Sequence, residues 1–121
     1  MDISLRGTPL IRAGAAPDID QIARGGAILK SFYVQPVCSP TRSALMTGRY
    51  PSSTGVDSVV RPHAPWGLKL EEQTLPQVLQ SAGYETAISG KWHLGEFEPA
   101  YRPMQRGFDH HLFQRQWRAN A

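Results

Sequence analysis

The residues of this chain that can do chemistry begin with Cys38, its only cysteine, which is followed by Pro40 and Arg42. The proline suits the first turn of a helix, which the pattern extends to Gly48. The start of a helix attracts anions, and the arginine adds a full positive charge. A cysteine by itself is most often a small buried apolar residue, so the interpretation of Cys38 depends on the motif to which it belongs.

Lys91 and His93 form a second pair, directly after the apolar segment Tyr84–Ser89. Residues two apart in an extended segment point to the same side, so both side chains can converge on one anion. A lysine stabilises a developing negative charge, and a histidine titrates close enough to neutrality to move protons. Taken alone, Lys91 could be a solvated charge and His93 could be a packing histidine. Together with Cys38 and Arg42 they predict a site.

Two segments resemble the two signatures of the sulfatase family. The first is Cys-Ser-Pro-Thr-Arg-Ser-Ala-Leu-Met-Thr-Gly at residues 38–48, and the second is Gly-Tyr-Glu-Thr-Ala-Ile-Ser-Gly-Lys-Trp-His-Leu-Gly at residues 83–95. The resemblance extends from about Asp2 to His110 and is to arylsulfatases of the N-acetylgalactosamine-4-sulfatase type. Outside the signatures it is carried by residues 2–7, 17–20, 32–37, 61–62 and 106–109.

The resemblance implies a role for each candidate residue. In sulfatases the cysteine is oxidised to formylglycine, whose hydrate attacks sulfur with one hydroxyl and expels sulfate through the other, which makes Cys38 the implied nucleophile. Arg42 would stabilise the hydrate. Lys91 would bind the sulfate oxygens of the substrate, and His93 would hydrogen-bond the formylglycine and assist proton transfer. The implied partners are a sulfate ester, including a sulfated sugar, and a formylglycine-generating enzyme.

The resemblance also implies calcium, with the modified Cys38 as one of its ligands. The family's other ligands are an aspartate pair on the first strand and an aspartate–asparagine pair far downstream; by motif, Asp2 and Asp109 belong to neither. We expect the chain to begin just past the first pair and to stop before the second. Because calcium takes about six to eight oxygen ligands, one retained ligand cannot hold it. We therefore expect an incomplete fragment with weak or no activity.

Composition limits the remaining function classes. The chain has 121 residues, of which 40% are hydrophobic, and its 13 basic and 10 acidic residues give a net charge of +3. These charges are scattered, so we expect no nucleic-acid partner. A single cysteine excludes an internal disulfide. We find no apolar run long enough to span a membrane and no signal peptide. Sulfatases are often periplasmic, secreted or lysosomal, so the compartment stays open.

Local patterns predict three helices and two strands. The first helix is Pro17–Gly26, with Ile19, Ile22 and Ala23 on one face. The second is capped by Ser39 and ended by Gly48, with Leu45 and Met46 buried. The third is capped by Thr74 and ended by Gly83. The strands are Ala27–Val34 and Tyr84–Ser89, and residues 51–69 are predicted to be a long irregular connection. We assign Tyr84, Trp92 and Leu94 to packing.

This order of elements indicates an α/β fold with its active groups on loops beyond the strand ends. The resemblance implies a partial alkaline-phosphatase-like sulfatase domain, a mixed sheet flanked by helices and truncated at both ends. We expect residues 1–110 to form this partial N-terminal catalytic domain and residues 111–121 to be a divergent tail.

Other kinds of site fit the sequence less well. A thiol phosphatase places an arginine six residues after its cysteine, where this chain has Ala44. A zinc site has no repeated ligand spacing to support it, although five residues could be considered: Cys38, His63, His93, His110 and His111. Residues 109–111 are better explained as a surface turn. Arg61, His63 and Trp66 fit either a plain loop or the mouth of a substrate site.

Two functional alternatives remain open at this point. The formylglycine motif is shared with phosphonate and phosphate monoester hydrolases of the same superfamily. The chain also fits a non-catalytic remnant, or a small basic binding module.

Overall fold

The computed structural model describes residues 17–113, which divide into two compact units between Tyr33 and Val34. The first unit contains helix α1, Pro17–Gly25, with Asp18 and Asp20 in its first turn and Arg24 in its last. These charges complement the helix dipole. The face that carries Ile19 and Ile22 is exposed, so its apolar spacing does not mark a buried side among the described residues.

The predicted strand Ala27–Val34 is wrong, because these residues form neither a strand nor a helix. Their large apolar side chains are exposed, and Tyr33 is 88% accessible. A strand needs a neighbour for its amide and carbonyl groups, and none of the described residues pairs with this segment.

The second unit begins with helix α2, Cys38–Thr47, and helix α3, Pro51–Thr54. Gly48 ends α2 in the left-handed conformation, as predicted, and its amide donates to the Ala44 carbonyl at 2.8 Å. The predicted cap at Ser39 is wrong, because Val37 holds the cap position and Ser39 lies inside the helix. Leu45 is 65% exposed, whereas Met46 packs against the core.

The connection predicted to be irregular contains α3 at its start and neither helix nor strand in residues 55–69. It nevertheless supplies four of the seven buried apolar residues of the core: Val56, Val60, Ala64 and Leu68, beside Trp92, Leu94 and Phe108. The indole of Trp92 meets the ring of Phe108 edge to face at 5.9 Å. Core packing therefore holds this segment against the chain that follows Lys91.

Helix α4, Leu75–Ser81, begins at the predicted cap Thr74. Thr74 and Gln77 form a reciprocal capping box, and the Thr74 hydroxyl also donates to the Arg106 carbonyl at 2.7 Å. Gly83 follows the helix with φ of 86°, which fits its predicted role in ending it.

A two-stranded parallel sheet pairs β1, Ala87–Gly90, with β2, His110–Phe113, in the register Ala87 to His110. Strand β1 lies at the end of the predicted segment Tyr84–Ser89, and Tyr84 is 64% exposed rather than packed. The surface turn predicted at residues 109–111 is wrong, because His110 and His111 belong to β2.

Hydrogen bonds between Thr86 and Asp109 explain why residues 110–113 pair with β1. The Asp109 carboxylate accepts the Thr86 amide at 2.8 Å and the Thr86 hydroxyl at 2.9 Å. The Thr86 carbonyl in turn accepts the amides of Asp109 and His110. The described helices are all too short or too polar to cross a membrane.

Candidate functional site

Helix α2 presents Cys38 at its first helical position, with the side chain half-buried. Val37 before it is extended, with φ of −131° and ψ of 164°. The hydroxyl of Thr41 donates to the carbonyls of Gln35 at 3.0 Å and Val37 at 2.9 Å, which fixes the entering chain to the first turn. The sulfur therefore lies at the amide-rich end of a ten-residue helix.

The structure brings Cys38, Lys91 and His93 together, although more than fifty residues separate the first from the others. The sulfur of Cys38 lies 3.0 Å from Nδ1 of His93 and 3.7 Å from Nζ of Lys91. The thiol thus has one imidazole and one ammonium group within contact distance.

The loop after β1 brings Lys91 and His93 to the sulfur by a different route from the extended segment that the sequence indicates. Gly90 has φ of 101° and His93 has φ of 60°, both in the left-handed region. His93 is the only residue other than glycine among the described residues with a positive φ. Such a backbone conformation is costly for a side-chain-bearing residue and persists only where surrounding contacts enforce it.

Arg42 lies one helical turn after Cys38, and its guanidinium donates to the backbone carbonyl of Lys91. Its contact is therefore with the backbone that carries Lys91. The Nε atom of Arg42 is buried without a partner in the described protein. A buried donor without an acceptor is uncommon and marks a place where an oxygen atom would be stabilised.

Burial lowers the pKa of His93 below its ordinary value of 6.5, and the positive charges of Lys91 and Arg42 lower it further. A hydrogen bond with the backbone of Val60 acts in the opposite direction. The imidazole is therefore neutral at neutral pH, which leaves it able to accept a proton at one ring nitrogen.

Ser39 and Val60 are parts of the site that sequence reasoning missed. Ser39 is fully buried, and its hydroxyl accepts the amide of Val60 at 3.1 Å. Val60 in turn contacts the His93 ring through its backbone. The only sequence feature that could have indicated Ser39 is that it is a small polar residue directly after the cysteine. Nothing in the local sequence marks Val60, whose part depends on its backbone.

The described residues do not fit a calcium ion by themselves. Calcium needs a shell of oxygen ligands, and no group of three or more His, Cys, Asp or Glu side chains in residues 17–113 is placed to hold a metal. The charged neighbours of the Cys38 sulfur are cationic. They favour an anion there and oppose a metal ion.

The histidines considered for zinc have other surroundings in the described chain. His63 meets Phe97 edge to face, with ring centroids 6.4 Å apart. His110 pairs with Glu85 at 2.7 Å, and the hydrogen bond to that carboxylate, together with its charge, raises the pKa of His110. Arg61 lines a small recess together with His93.

Comparisons with known proteins agree with the geometry. A sequence model of the sulfatase family matches residues 2–120. Mouse arylsulfatase J is 46% identical over 94 residues, which cover 77% of this chain and 16% of that protein. Human arylsulfatase A is 41% identical over 92% of this chain, and dog N-acetylgalactosamine-6-sulfatase is 38% identical over 89%. The chain covers 22% of the length of each of these last two proteins.

Solved structures give the same result at the level of the fold. Ps i-CgsB superposes with a TM-score of 0.73 and 36% identity, over 78% of this chain and 21% of that one. It has also been solved in complex with k-i-k-neocarrahexaose. The PsFucS1 sulfatase from Pseudoalteromonas sp. superposes with a TM-score of 0.68 and 38% identity, over 78% of this chain and 19% of that one.

Proposed function

Since the chain belongs to the sulfatase family, we propose that it forms the nucleophile-bearing part of the active site of a sulfuric ester hydrolase. Its α/β architecture is part of the alkaline-phosphatase-like fold of that family. The observation that supports the proposal most directly is the meeting of His93 and Lys91 at the Cys38 sulfur, at 3.0 and 3.7 Å.

We further propose that Cys38 is converted to formylglycine, which as its hydrate supplies an oxygen nucleophile and a route for releasing sulfate. The surroundings of Cys38 fit an oxygen-bearing side chain. Nζ of Lys91 and Nδ1 of His93 both lie within reach of the atom that the oxygens would replace. The unpartnered Nε of Arg42 offers a further donor nearby.

The protein's own residues would perform the remaining work. Lys91 binds the sulfate oxygens of the substrate and neutralises charge that develops on them. His93, held neutral by burial and by the cations beside it, accepts a proton at a ring nitrogen and returns it to the departing oxygen. Arg42 keeps the Lys91 backbone in place through its carbonyl. No step is assigned to calcium, because the described residues do not form a site for it.

The proposed substrate is a sulfate ester, with a sulfated sugar as the favoured class. This follows from family membership and from the sugar found with Ps i-CgsB, a related structure. For residues 1–121 alone we expect the rate of aryl sulfate hydrolysis to be close to that of a Cys38→Ala variant. The reason is that Lys91, Arg42 and His93 would act there without a metal site.

The first test concerns the nucleophile. The chain is coexpressed with a formylglycine-generating enzyme, and the Cys38 peptide is examined by mass spectrometry and by an aldehyde-specific label. We expect an aldehyde in the wild-type chain and none in Cys38→Ala. An unmodified thiol under conditions that convert a known sulfatase peptide would remove the proposed nucleophile.

The second test concerns the reaction. The protein, expressed from its own gene together with the maturation enzyme, is assayed with an aryl sulfate and the matching aryl phosphate. Faster turnover of the sulfate, lost in Cys38→Ala, supports the proposal. Faster turnover of the phosphate would favour a phosphate or phosphonate monoester hydrolase instead. Equal rates of the full-length gene product and its Cys38→Ala variant would identify a non-catalytic remnant. For residues 1–121 alone, equal rates are the expected result.

A further inference from the structure

Arg61 lies at the edge of the site with a guanidinium that binds no described residue. In residues 34–113, the other four arginines each donate a hydrogen bond to the protein: Arg42, Arg49, Arg102 and Arg106. Arg61 is exposed and makes no ion pair or side-chain hydrogen bond within the described residues. Its charge is therefore available to a ligand.

The backbone before Arg61 fixes it beside the catalytic cluster. The Val60 amide donates to the buried Ser39 hydroxyl, and the Val60 backbone is hydrogen-bonded to the His93 ring. Arg61 and His93 consequently line the same recess, of about 10 Å³. That volume admits about one water-sized group, so the recess takes a single polar atom of a ligand. The exposed Arg61 meets the rest of the ligand outside the recess.

The walls of this recess carry opposite charges. Glu96 lines it together with Arg61, and the two make no ion pair with each other. A guanidinium binds a sulfate or carboxylate group through paired N–H donors, and a carboxylate accepts hydrogen bonds from hydroxyl groups. The pair therefore suits a ligand that carries both an anionic group and hydroxyls.

Aromatic side chains lie close to Arg61 and Glu96 along the chain. His63 follows Arg61 closely, Phe97 follows Glu96, and their rings meet edge to face at 6.4 Å. Phe97 is 52% exposed, so an apolar ring face is available to a ligand. Such a surface favours the apolar face of a cyclic leaving group over an open-chain one.

We propose that Arg61 is a specificity residue that binds a second anionic group of the substrate, beyond the sulfate that is cleaved. The substrate class is then an acidic sugar that is multiply sulfated, or sulfated and carboxylated. This inference deepens the proposed sulfatase function and rests on it. Arg61 contacts the leaving-group side of the substrate and takes no part in the bond-breaking step.

The test is equilibrium binding to the full 121-residue chain, measured by calorimetry with a monosulfated and a disulfated disaccharide of the same sugar. We expect Arg61→Ala to weaken binding of the disulfated ligand about tenfold, or about 1.4 kcal/mol. Binding of the monosulfated ligand should stay within about twofold of wild type, because a rim charge contributes little without a partner anion.

Two further variants keep the result specific to the recess. Lys69→Ala removes an equal charge from an exposed residue outside the recess and should leave both affinities unchanged. Glu96→Gln removes a like charge from beside the second anion, so it should bind the disulfated ligand at least as tightly as wild type. A carboxylated monosulfate disaccharide separates carboxylate from sulfate recognition.

Three results would overturn the inference: equal weakening of both ligands by Arg61→Ala, no weakening of either, or no binding of either ligand to the wild-type chain. Failure of the sulfatase proposal appears elsewhere, in the Cys38 aldehyde and in aryl sulfate turnover. Neither of those measurements depends on Arg61, so the two failures are distinguishable.

Discussion

Each side chain that meets Cys38 is fixed by a backbone contact of its own. Arg42 binds the Lys91 carbonyl, and Ser39 holds the Val60 amide next to the His93 ring. These contacts keep an ammonium and a neutral imidazole close to the sulfur without requiring them to bind each other. Groups positioned in advance stabilise developing charge better than groups that must reorganise during the reaction.

Asp109 provides a prediction about pH at the scale of a single residue. Hydrogen bonds from the Thr86 amide and hydroxyl lower the pKa of the Asp109 carboxyl below its ordinary value of 3.8. A lowered pKa in the folded state means that the unfolded state binds protons more readily near that pH. The carboxylate therefore stabilises the fold above about pH 4, and this contribution is lost as the pH falls through the folded-state pKa.

We expect Asp109→Asn to unfold at lower urea than wild type at about pH 6, and the difference to shrink toward about pH 3. Urea unfolding followed by circular dichroism at both pH values measures this. Asp57→Asn is the control, because Asp57 is exposed and its carboxylate has no such hydrogen bonds among the described residues. A difference that stays constant between the two pH values would contradict the prediction.

Gly67 carries a prediction at the scale of the irregular segment. A Cβ at this position would lie 2.2 Å from the Leu94 carbonyl oxygen and 2.9 Å from Cα of Gly95. The same contact holds the hydrogen bond from the Leu68 amide to the Leu94 carbonyl, at 2.8 Å. The absence of a side chain thus lets residues 67–68 approach the loop that carries His93.

Gly67→Ala should lower the free energy of unfolding by about 1–3 kcal/mol, the usual cost of overpacking a buried contact. Chemical denaturation measures it. Gly25→Ala is the matched control, since a Cβ there meets nothing within 4 Å. Equal stability of the Gly67→Ala and Gly25→Ala chains would show that the segment can move aside at little cost.

Arg106 organises the turn between the irregular segment and α4. It is 2% exposed, and its guanidinium donates to three carbonyls, those of Lys69, Leu70 and Glu72. The bond to the Glu72 carbonyl is buried, whereas those to Lys69 and Leu70 are part-buried. Removing the donors leaves the buried carbonyl without a partner, which costs about 1–3 kcal/mol.

Arg106→Met should therefore destabilise the chain by about 1–3 kcal/mol, read from the midpoint of urea unfolding. Arg102→Met serves as control, because Arg102 is exposed and makes one side-chain hydrogen bond, to the Glu96 carbonyl at 3.2 Å. If both variants lose the same small amount of stability, the buried guanidinium is not what orders this turn.

At the scale of the whole molecule, the described residues leave much apolar surface in water. Exposed side chains include Phe32 at 70%, Leu45 at 65% and Leu112 at 68%. The sheet has two strands of four residues each, and such a small sheet depends on packing from other elements. Large apolar patches in water favour association between chains.

We expect the isolated 121-residue chain to bind the dye ANS and to aggregate on heating without a sharp transition. Dye fluorescence and light scattering during a thermal scan measure this. Leu45→Lys should reduce both signals, because it replaces an exposed apolar side chain with a charged one. A cooperative thermal transition without dye binding would refute the expectation.

Local signals predicted the parts of the fold that depend on neighbouring residues. The cap at Thr74 and the end of α2 at Gly48 were both confirmed. Each depends on a side chain or a glycine that acts within a few residues of its own position. The predictions failed where the structure depends on residues far away in the sequence. Ala27–Val34, for example, forms no strand because none of the described residues pairs with it.

The sequence by itself determined the family, through two signatures whose residue types are legible without a structure. It also identified Cys38, Arg42, Lys91 and His93 as the candidate group. Only the tertiary structure decided how these residues meet: through the left-handed His93 backbone, the Ser39 hydroxyl on Val60, and a core supplied largely by irregular chain. Those contacts join residues that lie far apart along the chain, so no local periodicity or spacing encodes them.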